Sequence, residues 1–138
     1  MRLILPSLLF VSLAAMASAQ TCATLTVTGS GAPGTDLTFA LNGAANSPAL
    51  LAIGDTAGTT TFNFGPLGSL TLGLAQPFVP LPLGLTDASG NVSRTVSIPA
   101  GLPAADLFGQ GLTVTFTLPP TLGLSFCTSN VAAFHVGT

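Results

Sequence analysis

The sequence predicts an all-β fold: an antiparallel β-sandwich of roughly seven to nine short strands, with a small closed β-barrel as the alternative architecture. Three observations carry that prediction. Apolar and small polar residues alternate with a period of two in several short segments, which is the signature of half-buried strands. Sixteen glycines and eleven prolines punctuate those segments, at spacings suited to turns. Two cysteines, Cys22 and Cys127, lie near the ends of a chain that carries almost no charge.

The chain opens with a leader. Met1-Arg2 supplies a positive charge, Leu3 to Met16 is apolar, and Ala17-Ser18-Ala19 forms a small-residue cleavage site before Gln20. These are the three parts of a signal peptide. Residues 1–19 are therefore read as a signal peptide and residues 20–138 as one β-sandwich domain, exported to the exterior or the cell surface. The apolar leader is too short for a stable span of about 20 residues, and no membrane span is expected in the mature chain.

Thr24, Thr26 and Thr28 alternate with Leu25 and Val27, giving a first strand. Gly29 to Gly34 is a turn. Leu37, Phe39 and Leu41 form the apolar row of a second strand, and Ala49 to Ile53 reads as a strand buried on both faces. Asp55-Thr56-Ala57-Gly58 is a turn. Phe62 with Phe64, and Leu70 with Leu72 and Leu74, mark two further strands. Gln76 to Leu83 carries three prolines, so it is assigned to a sheet edge in extended, polyproline-like backbone. Asp87-Ala88-Ser89-Gly90-Asn91 is read as a hairpin turn, followed by a strand through Val92, Val96 and Ile98. Pro103 to Phe108, ended by Gly109, is the one segment that suggests a helical turn. Leu112, Val114, Phe116 and Leu118 alternate with threonines at 113, 115 and 117. The threonine faces of the strands are expected to be solvated. In the last strand Val131, Ala133 and His135 share one face; Ala132, Phe134 and Val136 share the other.

Cys22 and Cys127 are 105 positions apart. In an exported protein, two such cysteines are expected to form a disulfide. The bridge would tie the first strand to a late one.

Charge excludes several functions. Once the leader is removed, Arg94 is the only cation against Asp36, Asp55, Asp87 and Asp106, a net charge of −3. Such a chain lacks the basic surface that nucleic acid requires. A membrane β-barrel needs strands of about 9–11 residues and aromatic girdles, and the chain has neither Tyr nor Trp. Sugar-binding sandwiches rely on aromatic platforms with a polar edge, which phenylalanine lacks. The lone His135 has no nucleophile elbow to serve, and the Asp87 turn lacks the glutamate that would complete a calcium loop. The chain is accordingly read as a non-enzyme with no cofactor and no metal.

Two groups of residues are singled out as candidate sites. Phe78, Val79 and Leu81 in the proline-rich segment are a candidate contact patch. Arg94 lies on the row of Val92, Val96 and Ile98 that should face the core. It must therefore snorkel at an edge or pair with a carboxylate, with Asp87 as the expected partner.

From Leu85 onward the chain resembles a small module of secreted bacterial proteins, often found at their C-termini. The resemblance rests on Thr86-Asp87-Ala88-Ser89-Gly90-Asn91, Ile98-Pro99, Leu107-Phe108-Gly109-Gln110 and Ser129-Asn130, with Pro33-Gly34 upstream. It implies an extracellular sandwich-like module of uncharacterised function with no catalytic residues. Typical surfaces are about a quarter charged or more, and this one has few charges to repel a neighbour. The expected role is a secreted structural or interaction module of the cell surface or matrix. It would act by self-association or by docking to an envelope or matrix component. A small-ligand or carbohydrate-binding domain, with Phe78 and Leu81 as a groove wall, is the alternative.

Overall fold

A computed structural model of the protein describes residues 22–118, 120 and 122–138. The expected leader lies outside the described residues. Nine strands are present among them: β1 (Thr24–Thr28), β2 (Asp36–Asn42), β3 (Pro48–Gly54), β4 (Ala57–Asn63), β5 (Ser69–Leu74), β6 (Phe78–Leu85), β7 (Asn91–Ser97), β8 (Ala105–Thr117) and β9 (Gly123–Val136). A single 3₁₀ turn spans Gly65–Leu67. The sheets are antiparallel and do not close into a barrel. Their orders are β1-β2-β7, β6-β3-β8-β9, and the hairpin β4-β5.

The two larger sheets face each other across a first core that includes Leu25, Leu37, Phe39, Leu41, Leu51 and Ile98. The β4-β5 hairpin covers the other face of the four-stranded sheet. A second core there contains Ala52, Leu72, Leu74 and Leu112, with Phe62, Phe78, Phe108 and Phe126 packed around it. The four-stranded sheet is thus covered on both sides. The middle of the apolar run in β3 is buried on both faces: Leu51 faces the first core and Ala52 the second, as in a strand covered on both sides, while Leu50 lies past the cover and is exposed.

The same double burial removes the helical turn expected at Pro103–Phe108. Leu107 turns to the first core and Phe108 to the second, so this segment becomes the start of β8. Tertiary burial outweighs a one-turn local signal. Two glycines of β8 lie tight against core side chains. A Cβ on Gly111 would lie 2.7 Å from Leu41 Cδ1, and one on Gly109 would lie 3.3 Å from the Phe134 ring.

The threonine faces divide. Thr24, Thr26 and Thr28 are exposed or partly so on β1, and Thr38 and Thr95 share a 3.0 Å hydroxyl contact on the same outer face. Thr113 instead is fully buried. Its hydroxyl accepts a hydrogen bond of 3.2 Å from the Ala44 N–H. A buried hydroxyl is tolerable only with such a partner.

Cys22 and Cys127 form the expected disulfide, with Cα atoms 5.4 Å apart. It sits beside β1 and in β9, so it ties an edge of one sheet to an edge of the other. Backbone extends the tie: the Cys22 and Ala23 N–H groups both donate to the Thr128 carbonyl, at 3.0 and 3.2 Å. Asn130 then stands in for a strand partner. Its Oδ1 accepts from Leu25 N–H at 2.9 Å, and its Nδ2 donates to the Leu25 carbonyl at 3.2 Å. One side of the sandwich is therefore closed covalently and by hydrogen bonds.

Candidate functional site

The opposite side, between edge strands β6 and β7, is held differently. Pro80 and Pro82 place β6 at the edge of its sheet, as the prolines require: each lacks a donor for a second neighbour. The segment from Thr86 to Gly90 links β6 to β7, but these strands belong to different sheets. The expected hairpin is thus a corner between layers. Its turn chemistry is as read: the Asp87 carboxylate accepts from the Ser89 and Asn91 N–H groups, each at 2.9 Å, and Gly90 has a φ of 85°.

Those two bonds occupy Asp87, and it does not pair with Arg94. The cross-strand pairs Phe39 with Arg94 and Leu37 with Val96 put the Arg94 side chain on the core-facing row. From there it reaches out to the edge, where Nη1 donates to the Pro82 carbonyl at 2.7 Å. The expected ion pair fails because a backbone carbonyl on the facing edge strand is within reach and the carboxylate is already engaged by its own turn. The snorkelling alternative describes the outcome. Among the described residues the only basic side chain within reach of a carboxylate is His135, whose Nδ1 lies 2.8 Å from Asp106 Oδ1. These residues sit opposite one another across β8 and β9, both at the surface, and no hydroxyl hydrogen-bonds the ring. No group of three or more His, Cys, Asp or Glu among the described residues could hold a metal ion.

The candidate patch at Phe78, Val79 and Leu81 splits between two faces, because successive side chains of a strand alternate. Phe78 turns to the second core and packs edge-on against Phe62, with ring centroids 6.1 Å apart. Val79 and Leu81 turn the other way. They line an apolar cleft of about 260 Å³ between the sheets, with Leu37, Phe39, Ile53, Val96, Ile98 and Phe134 among its other walls. Val79 stands at its mouth, 66% exposed.

A second apolar surface lies at the far end of β8 and β9. Strand β8 pairs with β3 only from Phe108 to Thr113, whereas its pairing with β9 continues to Thr117. The hairpin therefore runs beyond the sheet. Val114 pairs with Phe126 and Phe116 with Leu124. Val114 and Phe126 pack on the second core, and Phe64 lies over Phe126 with centroids 5.6 Å apart. The cover then ends. Phe116 is 62% exposed, and Leu118 and Leu122 beside the turn are 71% and 59% exposed. The sequence gives Phe116 and Leu118 as core residues by their alternation. It carries no signal for where the covering hairpin stops.

No helix among the described residues is long and apolar enough to cross a membrane, and a disulfide fits an extracellular location. No family model matches the chain, no curated protein is similar to it, and no solved structure matches its fold.

Proposed function

We propose that this is a non-catalytic interaction module of an exported protein, placed at the cell surface or in the matrix, and that it acts by contact through the end of the β8–β9 hairpin. The observation that carries the reading is the continuity of the second core with an uncovered apolar stripe at Phe116, Leu118 and Leu122. Exposed apolar patches of this kind mark interaction surfaces. The occupant is a second copy of the chain, in a self-complementary pairing of the two stripes. Charge does not oppose it, since Asp106 is the only ionisable group of β8 and lies at the other end of the strand. The edges offer less. The prolines blunt β6, and β1 and β9 are tied to each other. A contact made by one hairpin end falls at the small, transient end of interface sizes, so the association is weak.

Sedimentation equilibrium of the disulfide-closed domain, residues 20–138, tests this. The average mass should rise with concentration through the high micromolar range. It should stay monomeric in the double variant Phe116→Ser, Leu118→Ser. A wild-type domain that remains a clean monomer would count against the reading.

A further inference from the structure

The cleft between the sheets supports a second inference, independent of the hairpin surface. We propose that it binds the single alkyl chain of a free fatty acid, with the carboxylate held by Arg94. Its lining residues are all Leu, Ile, Val, Phe or Pro, so the group inside must be apolar and uncharged. Its volume, about 260 Å³, lies below the range of about 300–1,000 Å³ that drug-sized ligands occupy. One unbranched chain fits that space better than a ring system or a paired-chain lipid.

The head group follows from charge. Arg94 is the only cation among the described residues and lies on the same row of β7 as the cleft-lining Val96. The two are two residues apart, about 7 Å along a strand. The guanidinium spans the seam to Pro82, next to the cleft-lining Leu81. It has no carboxylate partner, and its one hydrogen bond leaves further donors of its fork for a bidentate anion. An apolar cavity beside one unpaired guanidinium is complementary to a chain that ends in a carboxylate.

Isothermal titration of decanoate into the disulfide-closed domain is the test, with decanol and phosphatidylglycerol vesicles as comparison arms. Saturable one-to-one binding of decanoate is expected, with decanol about tenfold weaker for want of the charged contact. Arg94→Met should bring decanoate down to the level of decanol and leave decanol unchanged. Val79→Trp, at an exposed position that tolerates bulk without unfolding, should block the mouth and abolish both. Vesicles should not bind, because chains packed in a bilayer cannot enter the cleft. The proposal is overturned if decanoate gives no saturable heat, or if Arg94→Met binds it as well as the wild type does. It also fails if vesicles bind where decanoate does not, or if Val79→Trp keeps decanoate binding while Phe116→Ser, Leu118→Ser loses it.

Discussion

Removing the disulfide tests how the two sheets are held together. The bridge closes a loop of 105 positions. In the chain-entropy account such a loop contributes about 4–5 kcal/mol, by restricting the unfolded chain. Domains of ordinary stability have about 5–15 kcal/mol in total, so the loss is large. For a chain of this length it corresponds to a fall in Tm of about 15–20 °C. The native contacts around it should survive: the Cys22 and Ala23 bonds to the Thr128 carbonyl and the Asn130 clasp on Leu25 do not depend on sulfur. The double variant Cys22→Ala, Cys127→Ala should therefore fold, with its strand content intact by circular dichroism, and unfold at much lower urea. Cys127 also packs against the first core, so substitution alone would mix lost packing with lost closure. Reduction of the wild-type protein separates the two, because it keeps the sulfur atoms in place. Reduction is expected to give the closure term of about 4–5 kcal/mol, and the alanine variant that loss plus the packing lost at Cys127. A loss under about 1 kcal/mol in both would refute the closure argument.

Three further substitutions probe the packing, each read by urea denaturation. Asn130→Ala strips the buried Leu25 backbone of both partners and should cost about 1–3 kcal/mol; no change would mean that water replaces the clasp. Gly111→Ala drives a methyl against Leu41 in the first core and should cost about 1–3 kcal/mol through overpacking. Leu51→Ala opens a cavity at a fully buried centre and should cost about 2–5 kcal/mol. The control Leu85→Ala, at an exposed edge position, should stay within about 0.5 kcal/mol of the wild type.

Much of the fold was legible because alternation reports directly on strands. The rows through Leu37, Phe39 and Leu41, and through Ala132, Phe134 and Val136, face the first core as their spacing indicates. The edge position of β6 followed from its prolines, and the disulfide from two widely spaced cysteines in a chain read as exported. What failed depended on neighbours distant in sequence. Thr113 is buried because the loop at Ala44 supplies its partner. Leu107 and Phe108 are extended because each finds a separate core. Arg94 chose a carbonyl on β6, and no local feature indicates that Pro82 would come within reach. The candidate patch was half legible: alternation divides Phe78 from Val79 and Leu81, but the cleft the latter two line is made by strands from both sheets. Phe116 and Leu118 illustrate the general difficulty. A period-two stripe marks which face is apolar, whereas the length of the opposing layer determines how much of that face is covered.

The most direct test of contact through the β8–β9 end is a dilution series followed by amide chemical shifts of the isotopically labelled, oxidised domain. The account predicts concentration-dependent shifts at Phe64, at Phe116 to Leu118 and at Leu122 to Leu124, with the amides of β2 and β7 stationary. Spectra that do not change with concentration, or changes confined to the free edges of β4 and β7, would contradict it.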